Sequence, residues 1–459
     1  MTLSTVSPTV DVGNLLDEGV FTRFQIAVVV LAALSIVMDG FDGQLIGFAI
    51  PLIIKEWGIT RGAFAPAVAA GLVGMGIGSA CAGLFADRFG RRLAVIGSVL
   101  LFGAATCLIG LAQDITAIAV LRFIAGLGIG GALPSSATMT AEFTPSRHRT
   151  LAVTATIVCV PLGGMLAGIF ASFVLPVYGW RTMFFIGGSL PIVLGVVLWA
   201  MLPESPRFLV RRPQRWAELR QLLGKMSHTI SATAQFSDRI EQKAENHKGF
   251  SALFDKAFAR DTIAIWCAFF MCLLTVYSAF SWLPTMLAAE GLDVKLASSG
   301  LTAYNLGGVF GALGCAVAIS RFGSRWPLLI CCVGAAGSAF FLQQFSVKEH
   351  VTLLLGGFAV HGLFVNAVQS TMYALCAYVY PTAVRATGTA AALAFGRLGA
   401  ILSAFAGAAV ITAGGASSYL LMLGSAMVLV FIALAIVRHH IPALRPQHIV
   451  GVAPSTVKK

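Results

Sequence analysis

Charged residues are scarce in this chain. They make up 11% of its 459 residues, against roughly 25% in a typical soluble domain. Hydrophobic residues reach 58% and the mean hydropathy is +0.87. This balance excludes a soluble globular protein, and the repeated long apolar runs exclude a soluble enzyme on a single anchor. The runs are continuous and do not alternate in ten-residue segments, so they predict membrane-spanning helices and not a β-barrel.

Groups that carry enzyme chemistry are also scarce. The nine cysteines all fall within apolar segments, and none has a metal-ligand spacing with histidine. We interpret them as small apolar side chains and not as disulfides. A glycine-rich phosphate loop and a nucleophile constellation are absent from the sequence as well. We therefore expect no enzyme, no metal and no cofactor.

Basic residues are unevenly distributed along the chain. Of 31 Lys and Arg residues, our segmentation places 24 on one side of the membrane, 5 on the other and 2 inside it. Cytoplasmic loops carry this kind of excess, so both termini are expected in the cytoplasm. The same distribution explains the net charge of +12 without nucleic acid as a partner.

The apolar runs predict an all-α membrane protein with twelve transmembrane helices in two six-helix pseudo-symmetric bundles. Residues 1–22 are expected to be a disordered cytoplasmic N-terminal tail without a cleavable signal. The predicted division is 23–202 for the first bundle, 203–260 for a cytoplasmic linker with short surface helices, 261–437 for the second bundle and 438–459 for a cytoplasmic tail. The predicted spans lie near 23–51, 65–86, 93–112, 115–140, 150–175, 182–202, 262–287, 297–319, 327–345, 351–379, 386–411 and 417–437.

The two halves repeat each other. GLFADRFGRR at 83–92 aligns with AVAISRFGSR at 316–325, and the same offset of 233 residues relates Gly74 to Gly307 and Gly78 to Gly311. A second echo relates 145–149 to 381–385 at an offset of 236. Parallel repeats of this kind are typical of secondary transporters, which hold substrate at the repeat interface near mid-membrane.

Two aspartates interrupt the first apolar run. Asp39 and Asp42 lie near the middle of residues 24–51, where a carboxylate costs at least ~2.5 kcal/mol. Their i, i+3 spacing places them on one helix face, so they should bind protons as a coupled pair. We predict a proton site there, and a polar pair satisfied by a neighbouring helix is the alternative.

Two arginines are predicted inside the membrane, and neither has a basic counterpart in the other half. Arg397 lies about 16 Å into the eleventh span, close to mid-membrane, and we predict that its planar guanidinium holds a substrate carboxylate. A structural arginine bound to a carbonyl or a tyrosine is the alternative. Arg122 is expected to pair with Asp39 or Asp42, or else to contact substrate.

The motifs resemble a known family. GLFADRFGRR resembles the loop signature of the major facilitator superfamily, and DGFDGQLIGF, RFIAGLGIGGALP, NLGGVFGALG and AFGRLGA resemble its aromatic acid:proton symporters. The resemblance covers all twelve predicted spans. It implies that the loop after the second span braces the two halves, with Asp87 at the start of the eleventh span. Glu142 is expected to act as a gate or loop contact, or to be a solvated helix end. The expected latch comprises Asp87, Arg88, Arg91, Arg92 and Glu142.

A ring-bearing substrate needs apolar walls and a few polar groups. Asn366, Gln369 and Tyr373 share a face of the tenth span. The expected substrate contacts besides Arg397 are Phe41, Tyr277, Trp282, Asn305, Asn366, Gln369 and Tyr373. Each of these alone is more typical of bundle packing than of a ligand contact.

The sequence therefore predicts a multi-pass protein of the cytoplasmic (inner) membrane that couples proton entry to uptake of a small aromatic carboxylate for aromatic hydrocarbon catabolism. Its expected partners are that acid, the proton and the lipid bilayer, and it is expected to act as a monomer. The alternative is a proton-coupled antiporter that exports drugs or metabolites on the same fold. Buried Arg397 disfavours it, because a guanidinium would repel cationic drugs.

Overall fold

The computed structural model describes residues 9–227, 230–231, 234–238, 253, 259–380 and 384–443. Among these residues, ten helices are long and apolar enough to cross a membrane. Two of the ten have 56 and 52 residues, which is far more than the ~20 that one crossing needs. Each long helix contains non-helical backbone partway along, at Gly179 in one and at Gly414 and Gly415 in the other.

The helices of the first half and linker are α1 (Val12–Glu18), α2 (Arg23–Trp57), α3 (Arg61–Phe89), α4 (Arg91–Ile109), α5 (Ile115–Phe143), α6 (Ser146–Met201), α7 (Pro206–Val210) and α8 (Trp216–Lys225). Those of the second half are α9 (Ala259–Ala289), α10 (Val294–Phe322), α11 (Arg325–Leu342), α12 (Val351–Val379) and α13 (Arg385–Ile436). Two three-residue strands, β1 (Thr9–Asp11) and β2 (Gln235–Ser237), pair in parallel.

Local sequence explains where several spans begin. Thr60, Asp114 and Asp293 each accept a backbone hydrogen bond at the start of the helix that follows, as N-cap side chains do. Thr22 and Gln25 form a complete capping box at the start of α2. The short polar connections of the sequence thus mark the ends of the apolar helices.

The spans alternate between two ends of the molecule. At one end, the far end, the Glu56 carboxylate accepts from Trp180 Nε1 at 2.6 Å, and Glu290 accepts from the Ala416 amide at 2.9 Å. The other end, the tail end, carries the linker and the last residues of α13. There the Ser324 amide donates to the Ile441 carbonyl at 2.8 Å. Each half therefore has its own contacts at both ends.

Glycine contacts confirm the internal repeat. A Cβ on Gly74 of α3 would lie 2.2 Å from the Phe123 carbonyl oxygen of α5. A Cβ on Gly307 of α10 would lie 1.8 Å from the Ala359 carbonyl oxygen of α12. Gly78 and Gly311 meet Leu127 and Leu363 in the same way. Both helix pairs thus pack backbone to backbone through equivalent glycines, which no larger residue could replace.

The halves meet mainly along three pairs of helices. These are α2 with α9, α3 with α13, and α6 with α10. A continuous apolar core runs through this contact, from Phe48 in α2 to Trp282 in α9. The site described below lies between the same helices.

The prediction that residues 1–22 are disordered is wrong for residues 9–18. β1 pairs with β2 of the linker, and Asp11 caps α1 by accepting from the Asn14 amide. The Asp17 carboxylate forms ion pairs with Arg149 and, at 3.4 Å, with Arg207. The expected short linker helices are α7, α8 and a 3₁₀ turn at Pro213–Arg215. Residues 1–8, 239–252, 254–258 and 444–459 lie outside the described residues, as does the 381–383 part of the second echo.

Candidate functional site

A cavity lies between the two halves near mid-depth. It contains about 990 Å³ of space outside the atoms, including the part open to solvent. Its wall toward the tail end includes Leu133, Ile157 and Ala312. The polar and aromatic side chains in its wall include Asp39, Gln44, Arg122, Tyr277, Phe280, Ser281, Asn366, Gln369, Ser370, Tyr373 and Arg397.

Arg397 of α13 is the basic group of the second half in this cavity. Its Nη1 donates to the Tyr277 hydroxyl at 2.6 Å and to the Met75 thioether at 2.7 Å. The guanidinium carbon lies 5.6 Å from the centre of the Tyr277 ring. Because both direct partners are uncharged, the guanidinium offers its charge to an anion that enters the cavity.

Asp39 of α2 lies in the same cavity wall and is 6% exposed. The Arg397 guanidinium lines the same cavity from the other half. The predicted proton site and the predicted anion site thus face each other across the halves. A substrate carboxylate and Asp39 would compete for one guanidinium.

Asp42 lies behind the cavity wall, fully buried. Neither of its oxygens has a direct hydrogen-bond partner within the described part of the chain, and the Thr106 hydroxyl and the Arg122 guanidinium lie near it. Arg122 is 3% exposed and lies against Gly71, where a Cβ would come within 3.1 Å of its Nε. Arg122 lines the same cavity as Asp39, and its pairing with Asp39 or Asp42 stays a prediction.

Aromatic rings and amides complete the wall. Tyr277 and Phe280 meet edge to face with centroids 5.7 Å apart, and Tyr373 packs edge to face on Phe269 at 5.6 Å. Asn366 Nδ2 donates to the Gly362 carbonyl at 2.9 Å, which fixes that side chain in the wall. Gln369 lines the cavity on the same helix. Apolar faces with a few fixed polar groups are typical of small-molecule sites.

Three of the expected substrate contacts do not lie in the wall. Phe41 packs against Phe170, with ring centroids 5.5 Å apart. Trp282 is fully buried and lies beside Gly407, where a Cβ would be 2.4 Å from its ring. Asn305 is also fully buried and is bonded to Gln44. The first two serve packing in this structure, and Asn305 reaches the cavity only through Gln44.

A family model described as Major Facilitator Superfamily matches residues 32–317 and 265–449. The chain belongs to the major facilitator superfamily. It is therefore a multi-pass membrane transporter and not an enzyme.

Relatives within the superfamily cover nearly the whole chain. The 4-hydroxybenzoate transporter PcaK of Pseudomonas putida is 35% identical over 90% of this chain and 92% of its own length. The gallate transporter of Pseudomonas putida is 32% identical over 89% of this chain and 90% of its own length. The niacin transporter NiaP of Acinetobacter baylyi is 27% identical over 83% and 85%.

Solved structures of the superfamily share the fold. The xylose transporter XylE from E. coli in a partially occluded inward open conformation matches with a TM-score of 0.72 and 18% identity, over 91% of this chain and 99% of that one. A D-xylose-proton symporter matches with a TM-score of 0.69 and 18% identity, over 92% and 99%.

The predicted superfamily latch residues cluster at the tail end. Asp87 is 54% exposed and pairs with Arg91 at 2.6 Å. Glu142 lies 3.8 Å from the Arg91 Nε and accepts a hydrogen bond from the Ser205 hydroxyl. These contacts join elements of the first half and the linker, and among the described residues Asp87 pairs within its own loop and not with the start of α13. Arg88 lies over the Phe89 ring, 5.3 Å from its centroid.

Two site residues were missed by sequence reasoning. Glu204 accepts from the Arg92 amide at 3.1 Å and so caps the start of α4, and burial raises the pKa of its carboxyl. Its signal was a lone acid directly after the sixth span, in PESPR. Gln44 lies in the cavity wall, and its signal was an amide inside an apolar run, two residues after Asp42.

Proposed function

We propose that the chain takes up a small aromatic carboxylate across the cytoplasmic membrane together with protons. The 4-hydroxybenzoate and gallate transporters are its relatives at 32–35% identity, and both carry aromatic acids by name. The observation that carries the proposal is Arg397, a buried guanidinium with uncharged direct partners in a cavity walled by aromatic rings.

The substrate carboxylate would bind the Arg397 guanidinium as a bidentate pair. Tyr277, Phe280 and Tyr373 would contact the ring, since they supply apolar faces on one side of the cavity. Asn366 and Gln369 would meet ring substituents such as hydroxyl groups. Phe41 and Trp282 would support this wall from behind.

The proton would be carried on Asp39 and Asp42, with different roles. Protonated Asp39 no longer competes for Arg397, so the substrate carboxylate replaces it and the cavity stays neutral overall. Asp42 would act from behind the wall on Arg122, which itself lines the cavity, and its charge state would set whether the two side chains stay together. The different positions of the two carboxylates support this division of roles, since Asp39 lines the cavity with Arg397 and Asp42 lies behind its wall. With substrate bound and the cavity neutral overall, the two halves would then rock against each other and open the cavity to the other side of the membrane.

The proposed topology is twelve crossings in two six-helix bundles, at 23–202 and 261–437. The non-helical glycines near the far end support it, because they divide the helices of 56 and 52 residues into two lengths each, and each length suits one crossing. The basic linker and loops support a cytoplasmic tail end with both termini inside, at 1–22 and 438–459. The cytoplasmic linker would span 203–260. We expect the chain to work as a monomer in the inner membrane.

At the tail end, Asp87, Arg88, Arg91, Arg92 and Glu142 would form the latch of the transport cycle. In the structure Asp87 pairs within its loop and is largely exposed, which leaves it free to change partner. Such a carboxylate would gain modest favourable energy at the start of α13 in the alternative, outward-facing state.

The test is uptake of radiolabelled acids by whole cells. A panel of hydroxybenzoates, gallate, gentisate and a phenylpropionate would be compared with a cationic drug, with and without a protonophore. We expect accumulation of at least one aromatic acid that falls when the proton gradient is collapsed. Export of the cationic drug without acid uptake would favour the antiporter alternative, and undiminished uptake under the protonophore would rule out proton coupling.

A further inference from the structure

Gln44 of α2 and Asn305 of α10 join the two halves through a pair of side-chain amides. Asn305 Nδ2 donates to Gln44 Oε1 at 2.7 Å, and Gln44 Nε2 donates back to Asn305 Oδ1 at 3.3 Å. The two side chains are 2% and 0% exposed. Each amide thus satisfies the other in a place that water does not reach.

Both amides are held in position by their own half. Asn305 Nδ2 also donates to the Leu301 carbonyl at 3.0 Å, one turn earlier in α10. Gln44 lies against Gly164 of α6, where a Cβ would be 2.1 Å from its Nε2. The space for the Gln44 side chain therefore depends on glycine at position 164.

Two further close approaches between the halves lie on the far-end side of this pair. A Cβ on Gly47 would be 2.0 Å from the Phe280 carbonyl oxygen, and a Cβ on Gly168 would be 2.0 Å from the Thr302 hydroxyl. Gln44 itself lines the cavity, whose wall continues toward the tail end. The amide pair thus lies at the boundary between tight contact and cavity.

We infer that the Gln44–Asn305 pair is the gate contact that closes the substrate cavity toward the far end. The direction of substrate entry rests on the proposed function, which makes the far end external. A neutral amide pair suits a contact that must break in every cycle. In the open state water forms hydrogen bonds with both amides. Because neither amide is charged, opening and closing the contact leaves no unpaired charge buried at any stage. Substrate coming from outside must separate the two amides to reach Arg397.

The experiment measures hydrogen exchange by mass spectrometry on the purified full-length protein without substrate. The far-end reporters are residues 44–57 and 297–308, and the tail-end reporters are residues 83–95 and 316–328. The variants are Gln44→Leu, Gln44→Leu with Asn305→Leu, and the exchanged pair Gln44→Asn with Asn305→Gln. The matched control is Ser403→Ala. Ser403 is a buried polar residue in the middle part of α13, and its hydroxyl donates to the Ala400 carbonyl of the same helix.

Gln44→Leu removes two hydrogen bonds and leaves the Asn305 amide short of a partner only while the gate is closed. We expect about a tenfold shift toward the state open at the far end. Exchange should then rise at the far-end reporters and fall at the tail-end reporters. The double leucine variant should shift less, because its closed gate contains no unsatisfied amide, and the exchanged pair should be close to the native protein.

A variant that merely loosens the protein would raise exchange without any matching fall at the tail end. That result for Gln44→Leu, or exchange equal to that of Ser403→Ala, would overturn the inference. A lack of acid binding by the native protein in a separate calorimetric measurement would instead overturn the proposed substrate and leave the gate result standing.

Discussion

Replacing Arg397 tests the predicted anion site most directly. In Arg397→Ala the substrate carboxylate would meet only the uncharged Tyr277 and Met75 at this point of the cavity, and Arg122 would be the basic side chain left in the described wall. Truncating one side of a buried charge pair typically costs ~2–5 kcal/mol, or roughly 30-fold to several thousand-fold in affinity. Arg397→Lys keeps the charge but loses the planar fork, so its affinity should lie between those of native and Arg397→Ala.

The assay is calorimetric binding of an aromatic acid and of its neutral amide to purified native and variant proteins. The native protein should bind the acid more tightly than the amide, and Arg397→Ala should remove this preference by weakening the acid alone. Tyr277→Phe is the matched control. It deletes the hydroxyl bonded to the guanidinium but keeps the ring and the charge, so acid affinity should change by less than about tenfold.

Loss of folding is a separate outcome that a second variant resolves. Arg397→Ala leaves the Asp39 carboxylate without the guanidinium that acts on it, and an uncompensated buried charge is destabilising. Arg397→Ala combined with Asp39→Asn removes both charges and should restore thermal stability without restoring acid binding. Native-like acid affinity in this folded double variant would refute the assignment and make Arg397 a structural residue.

Three further predictions concern the carboxylates. Asp39→Asn and Asp42→Asn should each abolish accumulation against a gradient in vesicles. Only Asp39→Asn should make acid binding independent of pH, because of the two aspartates only Asp39 shares the cavity with Arg397. Equal pH dependence of acid binding in both variants would contradict this. Asp87→Asn should slow transport with near-normal affinity for substrate, since its carboxylate is exposed at the tail end, and a large loss of affinity with a normal rate would count against a latch. Glu204→Gln keeps a side-chain oxygen that can accept from the Arg92 amide, and it removes a carboxyl whose pKa is raised by burial. At a pH above that pKa, the melting temperature of the variant should therefore be no lower than that of the native protein. The difference should shrink as the pH falls and the native carboxyl becomes neutral, and a melting point that drops most at high pH would exclude this account.

Much of the architecture could be predicted because it is written in local sequence. Apolar length gives the spans, and the 233-residue offset paired Gly74 with Gly307, which pack in the same way in the two halves. The depth of Arg397 followed from its distance along a span of constant rise. These features depend on one segment at a time.

The rotation of each helix could not be predicted in the same way. α2 is apolar on all sides, so periodicity does not distinguish its cavity face from its packed faces. Phe41 was therefore expected in the cavity but packs on Phe170. Asp42, only three residues from Asp39, lies behind the wall. The Gln44–Asn305 pair joins residues from different halves, and a single sequence gives no sign of which amides meet.

The pairing of β1 with β2 has a consequence for the order of synthesis. Thr9 leaves the ribosome before the first bundle, whereas its partner Gln235 follows only after the whole first bundle has been made. Long-range strand pairing forms late because its loop-closure entropy must be overcome first. β1 would therefore stay unpaired at the membrane surface while α2 to α6 insert. Its pairing with β2 of the linker would mark the completion of the first bundle.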